Sequence, residues 1–287
     1  MCRMDFNFSD DLIAIREILG ITQAELADRL GVQQVTISRN ETGKTEASER
    51  LLEQVYGFAF KNNIKLGRLK EMLWLERLKP GHKLLFHGAK SEIEGKISVN
   101  RSRINNDFGQ GFYTGESYGQ AVSYVSGFDH SSVYYLDLDG SDLKCKRYKV
   151  DQEWMLTIAY FRGSLDEYKE HPKIRKLING ARDCDYIIAP IADNRMFQII
   201  NSFISGEITD EQCKHCLAAT NLGDQYVFTS ERSVRKLKIL ERTYISVSEK
   251  EYFQGLRTEE YKLGDDKVKL ARRQYRGKGR YIDDILK

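Results

Sequence analysis

Pro80-Gly81 separates two parts of the chain whose apolar residues repeat in different ways. Before this dipeptide, apolar residues recur with helical spacing. After it come short apolar segments such as KLLFHG and DYIIAP, which are typical of strands, with helical stretches between them. The chain of 287 residues is long enough for two cores. We therefore expect an all-α bundle followed by an α+β domain in which strands and helices do not strictly alternate.

The helical part contains two clear helix boundaries. The segment TQAELADRLG begins with a capping box formed by Thr22 and Glu25, and it ends at Gly31. The segment VQQVTISRNETG follows after a very short turn and provides Val35 and Ile37 for the core. Two helices joined by a short turn that contains Gly are typical of a helix-turn-helix. The skeleton TQAELA-x3-G-x5-IS resembles the lambda-repressor/Cro-type family.

That resemblance implies DNA binding through the second helix of the pair. Gln side chains can bond adenine with two hydrogen bonds, and a helix start such as Gln23 suits a phosphate. Asn40 departs from the family, which often has a bulky aromatic residue there. The expected DNA contacts are Gln23, Gln33, Gln34, Thr36, Ser38 and Asn40.

Charge leaves a second interpretation of this part open. Residues 1–75 contain ten Lys/Arg and eleven Asp/Glu, so the electrostatic attraction for DNA is small. A helical bundle that dimerises or binds a protein partner therefore stays as the alternative.

Composition indicates a cytoplasmic protein. No apolar run is long enough to span a membrane, and the N-terminal residues carry acids where a signal peptide needs an apolar core. Five scattered cysteines suit a reducing compartment. Cys213-Lys-His-Cys216 has no second Cys/His pair with zinc spacing, so we expect two thiols on an ordinary helix and no metal.

The segment DFGQGFYTGESYGQAVSYV, residues 107–125, is unusually rich in glycine and aromatic residues. Glycines permit tight turns and close approach of the backbone, so the segment predicts a turn and short strand that aim Tyr113 inward. A following helix would bring Tyr124 near it, and two rings beside glycine form a slot for a flat ligand. A tight hairpin with core aromatics is the alternative.

Two further segments give the pattern an order. LLFHGAK ends an apolar strand at His87-Gly88, and GDQYVFTSE places Gln225 directly before a strand. Strand–His-Gly, glycine turn–Tyr and polar residue–strand, in that order, resemble the His-Tyr-Glu branch of the ADP-ribosyltransferase superfamily over about residues 82–245. The segments DFGQGFYT, DYIIAPIADNRMF and QYVFTSERSVRKLKIL are most similar to an uncharacterised bacterial group within it.

The resemblance implies a split β-sandwich that uses NAD and needs no metal. Gly88 main chain would hold the nicotinamide carboxamide, His87 would bond a ribose hydroxyl, and Tyr113 and Tyr124 would stack on nicotinamide. Catalytic roles therefore fall on His87, Tyr113 and Gln225.

Gln225 stands where the branch normally has Glu, and an amide cannot act as a base. Asp224, Glu231 or the nucleophile of the acceptor would then supply the missing function, or turnover would be slow or absent. Arg195 is a candidate phosphate contact, although Asp193 and Arg195 also fit a capped turn.

These features predict four regions: a helix-turn-helix over 1–61, a helical linker over 62–80, the transferase-like domain over 81–250 and a basic extension over 251–287. We expect a mono-ADP-ribosyltransferase with a DNA-binding module, in a toxin-antitoxin or phage-defence setting, with an antitoxin protein and a homodimer as further partners. The alternatives are a transcriptional regulator that binds NAD or ADP-ribose without catalysis, and a pair of protein-interaction modules. Protein, DNA, RNA and small molecules all stay open as the acceptor.

Overall fold

The computed structural model describes residues 6–218 and 222–287. The described chain forms two compact units, each assembled from three separate segments. The first unit contains the described residues up to Lys96, then Ser117–Leu138 and Lys238–Arg257. The second contains Ile97–Glu116, Asp139–Leu237 and Thr258–Lys287.

Helices fill the start of the chain and recur between the strands. The α-helices are α1 (Phe8–Leu19), α2 (Gln23–Leu30), α3 (Gln34–Glu41), α4 (Glu49–Lys61), α5 (Leu66–Arg77), α6 (Tyr118–Val125), α7 (Gln152–Phe161), α8 (Pro172–Arg182), α9 (Asn194–Ile204), α10 (Asp210–Ala218), α11 (Glu231–Val234), α12 (Val247–Gln274) and α13 (Ile282–Ile285). The strands are β1 (Lys83–Ala89), β2 (Phe112–Gly115), β3 (Ser132–Leu138), β4 (Cys145–Arg147), β5 (Tyr186–Pro190), β6 (Asp224–Phe228) and β7 (Leu237–Tyr244), with 3₁₀ helices at Val99–Arg101 and Asp166–Tyr168.

Local signals set the first helices. The Thr22 hydroxyl accepts from the Glu25 backbone N–H while the Glu25 carboxylate accepts from Thr22, which completes the predicted capping box of α2. Gly20 and Gly31 end α1 and α2 in the left-handed conformation, where a side chain would be strained. Apolar side chains from α1 to α4 then meet in one core, which includes Leu12, Ile15, Leu26, Ile37, Leu51 and Val55.

In the first unit the strands lie in the order β1-β3-β7. β1 and β3 are antiparallel, with His87 opposite Tyr134 and Gly88 opposite Val133. Helix α6 packs on β1, and its apolar face joins Leu84, Phe86 and Val133 in a common core. Each fully buried side chain of this kind contributes about 1.5–3 kcal/mol.

A buried ionic cluster also crosses the first unit. The Lys70 ammonium of α5 lies 2.6 Å from the Asp11 carboxylate of α1 and also pairs with Glu241 of β7. Tyr56 donates to Asp11, and Trp74 Nε1 donates to Glu241 over 2.9 Å. Burial raises the pKa of Asp11, although Lys70 opposes the shift. The cluster joins the helix-turn-helix helices to β7.

In the second unit the strands lie in the order β4-β5-β6-β2. β4 and β5 are parallel, whereas β5/β6 and β6/β2 are antiparallel. Helices α7 to α10 cover a core that includes Trp154, Met155, Phe203 and Val227. Strand pairs of both directions, with helices packed on them, make this an α+β arrangement.

The expected fold class is confirmed: an all-α helix-turn-helix bundle precedes a mixed α+β region. Helix α5 lies within residues 62–80, the stretch predicted as a helical linker, and it is part of the first unit. The basic C-terminal residues are ordered as the second half of α12 and α13, and Ile282, Ile285 and Leu286 enter the second core. Among the described helices, none combines the length and the hydropathy that crossing a bilayer requires.

Candidate functional site

Helix α3 presents polar side chains on the helix-turn-helix surface. Ile37 is fully buried and fixes α3 against the core, while Gln33 and Gln34 are exposed at its start. Thr36 and Ser38 are half-buried. The structure therefore places four of the predicted DNA contacts on one helix, two at its start and two on either side of the buried Ile37.

A hydrogen-bond network holds part of this surface in place. Gln34 Nε2 donates to Gln23 Oε1 over 3.1 Å, and Gln23 Nε2 donates to Glu41 Oε2 over 2.7 Å. Arg16 Nε donates to Glu41 Oε1 over 2.7 Å. Gln23 is thus bonded on both sides, so it orients Gln34 in addition to any phosphate contact.

Asn40 differs from the other predicted contacts. Its side chain is 5% exposed, and Nδ2 donates to the Thr36 carbonyl over 2.8 Å. A buried amide cannot reach a base edge, so the expectation that Asn40 contacts DNA is not met and we treat it as a core residue of α3.

The first unit packs α6, the helix that carries Tyr124, against Gly88 of β1, while the side chain of His87 lies on the opposite face of that strand. A Cβ placed on Gly88 would lie 2.5 Å from the Ala121 carbonyl oxygen and 2.9 Å from Val125 Cγ1. Only glycine therefore lets α6 approach β1 this closely. Tyr124 lies on α6 and is 66% exposed. The neighbouring Tyr118 is buried, so one tyrosine of the helix serves the core and the other faces outward.

In the second unit, Tyr113 is tied to the glycine-rich turn that precedes it. Its hydroxyl donates to the Gly109 carbonyl over 2.8 Å and accepts from the Phe108 N–H over 3.2 Å. Gly109 has a φ of 76°, the left-handed conformation that the sequence predicted for this turn. The ring is half-buried against the core of the second unit.

The β2/β6 register relates Tyr113 to Gln225. Tyr113 lies opposite Val227, and Gly115 lies opposite Gln225. Residues two apart along a strand share a face, so Tyr113 and Gln225 are diagonal neighbours on the face that carries Val227 into the core. The structure therefore brings these two predicted site residues together.

Gln225 takes part in a buried polar network. It is 7% exposed, and its Nε2 donates to Asp107 Oδ2 over 2.8 Å and to the Pro190 carbonyl over 3.3 Å. Arg162 Nε donates to the other oxygen of Asp107 over 2.8 Å, and the Ala192 N–H donates to Oδ2 over 3.2 Å. Asp107 begins the DFGQGFYT segment, so the network fixes this segment to α7 and to the end of β5.

The acids considered as substitutes for a catalytic Glu are also paired. Asp224 accepts from Arg147 over 3.0 Å. Glu231 accepts from the Ser98 hydroxyl over 3.3 Å and from the Val99 N–H over 3.5 Å. Both carboxylates therefore have structural partners in this arrangement.

Two comparisons with known families bear on these regions. A family model described as "Protein of unknown function (DUF3990)" matches residues 84–239, which is more than half of the chain. The chain belongs to this family. A second model, described as helix-turn-helix, matches residues 12–55. No curated protein and no solved structure matches the chain.

The protein thus joins a helix-turn-helix DNA-binding module to a DUF3990 domain. The match to the DUF3990 model spans every residue that the sequence assigned to NAD, from His87 to Gln225. It ends before α12, so the basic C-terminal residues lie beyond the matched part.

One predicted contact in the DUF3990 domain is engaged elsewhere. Arg195 Nη1 donates to the Tyr261 carbonyl over 2.6 Å and to Asp265 over 2.9 Å, and the guanidinium lies 4.7 Å from the Tyr261 ring centroid. Asp193 caps α9 by accepting from the Met196 N–H over 2.8 Å. Asp193 thus forms the capped turn that the alternative interpretation expects, and Arg195 contacts α12, while a phosphate contact of Arg195 stays a prediction.

Cys213 and Cys216 of α10 are buried in the same domain's core, and burial raises the pKa of the Cys213 thiol. Within the described residues, no group of three or more His, Cys, Asp or Glu side chains is arranged to hold a metal ion.

Sequence reasoning missed several residues of both regions. Asp107 and Arg162 are separated by 55 positions, and no local pattern connects them. Arg39 and Lys44 are exposed on and just after α3, which suits phosphate contacts. The two cations are matched by Glu41 and Glu46, so the local charge gave no sequence signal for them.

Proposed function

We propose that the protein is an NAD-dependent mono-ADP-ribosyltransferase that also binds DNA through its helix-turn-helix. The observation that carries this proposal is the exposed ring of Tyr124 on a helix that packs directly on Gly88, the residue after His87. An exposed tyrosine contributes little to a core, but it offers a face on which a flat pyridine ring can stack. The ordered motifs that resemble the His-Tyr-Glu transferases support the same conclusion.

Each residue has a defined role in this proposal. Gly88 main chain bonds the carboxamide of nicotinamide, and His87 bonds a ribose hydroxyl. Tyr113 and Tyr124 stack on the pyridinium ring. The bond between the ribose C1 and the nicotinamide nitrogen breaks, and neutral nicotinamide leaves with the electron pair. The acceptor's nucleophile then bonds C1 and loses its proton, while polar contacts to the ribose stabilise the developing positive charge.

The test is release of nicotinamide and transfer of label from labelled NAD. We expect His87→Ala and Tyr113→Ala to abolish turnover while the protein stays folded. Tyr281→Ala, which removes an exposed tyrosine from the second unit, is the matched control and should keep full activity. Unchanged NAD consumption in both site variants would overturn the assignment.

The environment of Gln225 favours a second candidate function. Its amide is committed to Asp107 and Pro190, and it cannot accept a proton from an acceptor. A regulator that binds NAD or ADP-ribose without catalysis would need no base at this position. Saturable NAD binding without nicotinamide release would establish this candidate and exclude the first.

For the helix-turn-helix, we propose a DNA operator read by Gln33, Gln34, Thr36 and Ser38, with Arg39 and Lys44 on phosphates. The combination of a DNA-binding module with a transferase suits a toxin-antitoxin or phage-defence effector that represses its own operon. An antitoxin protein and a second copy of the chain are the partners such a role requires. Co-expression with neighbouring genes, followed by affinity purification of the tagged protein, tests both.

A further inference from the structure

The segment between α12 and α13 forms a well-anchored basic loop. Arg276, Lys278 and Arg280 alternate with Gly277 and Gly279 and are all exposed. We call this segment, residues 276–280, the basic loop.

The backbone of the basic loop is fixed against the start of α10. The Arg280 N–H donates to Asp210 Oδ1 over 2.7 Å, and the Asp210 N–H donates to the Arg280 carbonyl over 2.9 Å. The buried Thr209 hydroxyl donates to the Lys278 carbonyl. A Cβ on Gly279 would lie 2.9 Å from Glu211 Cβ, so glycine is required for this close approach. The loop is therefore held by its main chain, which leaves its side chains to the surface.

The cations of the basic loop have no carboxylate partner among the described residues. The ion pairs of the described chain include none with Arg276, Lys278 or Arg280, while Glu211 already pairs with Lys214 and His215. Asp210 is bonded to the loop backbone and to Gln152. Asp210 thus stabilises the loop's conformation, and the Lys278 ammonium lies 5.0 Å from the Tyr275 ring centroid, so the three cations of the loop stay without a carboxylate partner among the described residues.

Helix α8 adds further positive charge beside the loop. Lys173 Nζ donates to Gln152 Oε1 over 2.8 Å, and Gln152 Nε2 donates to Asp210 Oδ2 over 2.8 Å, which places Lys173 two hydrogen bonds from the loop's anchor. Burial and then the nearby Arg280 lower the pKa of Lys173. Lys176, one turn further along α8, is exposed.

We propose that the basic loop, with Lys173 and Lys176, binds the phosphate backbone of a nucleic acid as a second contact separate from the helix-turn-helix. A polyanion neutralises like charges that are held together at a surface. When the polyanion is a nucleic acid, binding also releases the counterions condensed on it, which favours the complex. Nucleic acid is the polyanion favoured here, since the same chain carries a helix-turn-helix and so presents the loop to it at high effective concentration. The inference does not depend on NAD chemistry.

The probe is a labelled single-stranded DNA oligonucleotide, because a helix-turn-helix reads the major groove of a duplex. Binding of the full-length protein is measured by fluorescence anisotropy at several salt concentrations. The triple variant Arg276→Ala/Lys278→Ala/Arg280→Ala should lose at least tenfold in affinity at low salt. The magnitude of its slope of log K against log salt should be smaller by about 2, because each of the three lost phosphate contacts contributes about 0.7 on a single strand.

The matched control is Lys61→Ala/Lys79→Ala/Lys83→Ala, which removes the same charge from exposed positions of the first unit. It should bind within twofold of the wild type. The charge-preserving variant Arg276→Lys/Arg280→Lys should also retain binding, and thermal unfolding should show that all variants are folded.

Three results would overturn the proposal: no single-strand binding by the wild type at low salt, equal losses in the loop and control triples, or an unchanged slope in the loop triple. If the loop triple lost binding to vesicles rich in anionic lipid but kept single-strand binding, the loop would be assigned to a membrane surface instead.

Discussion

The helix-turn-helix surface and the polar network of the DUF3990 domain use the same kinds of side chain in opposite ways. On α3, Gln33 and Gln34 are exposed, and a single hydrogen bond from Gln34 to Gln23 orients the reading surface. In the second unit, Gln225 and Asp107 are buried and bonded to each other. A glutamine can thus present its amide to a ligand or use it to hold a loop, and burial decides which role it has.

The largest expected effect tests the internal role of the network. Asp107→Ala would leave the Arg162 guanidinium without its carboxylate, and the Gln225 amide and the Ala192 N–H without an acceptor. We expect a loss of about 3–5 kcal/mol in the free energy of unfolding, measured in urea. Asp183→Ala, which breaks an exposed pair with Lys144, should cost less than about 1 kcal/mol. Similar small losses in both variants would show that the buried network is not a determinant of stability.

Glu249 of α12 offers a comparison with Asp107. Both carboxylates are buried, but Asp107 is bonded by the Arg162 guanidinium, whereas Glu249 has the uncharged Tyr118 hydroxyl beside it. Glu249 is 7% exposed, and burial raises its pKa to about 7, with only the Tyr118 hydroxyl opposing the shift. Because the pKa is raised in the folded state, the folded protein binds the proton more tightly than the unfolded chain does. The free energy of unfolding therefore falls as pH rises from about 4.5 to about 7. Glu249→Gln should remove that pH dependence and be more stable than the wild type by up to about 3 kcal/mol above neutral pH.

The measurement for Glu249 is urea unfolding across this pH range. Glu251→Gln, at an exposed position of the same helix, is the control and should leave the pH profile of the wild type unchanged. Identical profiles for wild type and Glu249→Gln would contradict the prediction.

Gln225→Glu puts a second carboxylate beside Asp107. Above the pKa of the new acid, the two charges repel, and the hydrogen bond from Nε2 is lost. We expect a loss of about 1–3 kcal/mol in unfolding free energy at mildly alkaline pH, with partial recovery in acid. Gln225→Met, which removes the bond without adding charge, separates the two causes. Wild-type stability of the Glu variant at alkaline pH would show that this contact is replaceable, and its NAD turnover would then report on catalysis alone.

Gln34→Ala tests the exposed surface by binding affinity. We expect its affinity for a specific operator to fall by about 1–3 kcal/mol without a marked change in salt dependence, because the proposed contact of Gln34 is with a base and its side chain carries no charge. The free energy of unfolding should change little. Ala24→Ser, an exposed change on α2, serves as the control in gel-shift titrations. Equal operator affinity for wild type and Gln34→Ala would support the dimer or partner-binding interpretation of the bundle.

The smallest expected effect concerns Tyr124. Because this ring is 66% exposed, Tyr124→Ala should change the free energy of unfolding by less than about 0.5 kcal/mol. Tyr118→Ala, from the buried side of the same helix, should cost several kcal/mol. A large stability loss for Tyr124→Ala would mean that the ring serves packing, and the proposed stacking role would lose its support.

Local signals made the helical part predictable. The capping box at Thr22 and Glu25, and the glycines that end α1 and α2, act within a few residues, so spacing alone locates the boundaries. Spacing also placed Ile37 in the core and the glutamines outside, but Val35, expected in the core with Ile37, is 44% exposed. It did not identify Asn40 as buried, because an amide suits a surface and a helix interior equally well when its neighbours are unknown.

In the DUF3990 domain the sequence indicated the strands, the glycine turn and the order of the motifs. It could not show that Arg195 pairs with Asp265, or that Gln225 bonds Asp107 across 118 positions. These partners come from distant segments, and a charged side chain carries no local signal of which opposite charge it will meet.

The sequence by itself determined where helices begin and end, which faces are apolar and which glycines the turns require, because these depend on backbone conformation and near neighbours. Only the tertiary structure decided which polar groups are exposed and which are bonded inside, because burial results from the packing of segments far apart in the chain. In this protein, packing leaves the Gln34 amide at the surface and gives the Gln225 amide a partner within the fold.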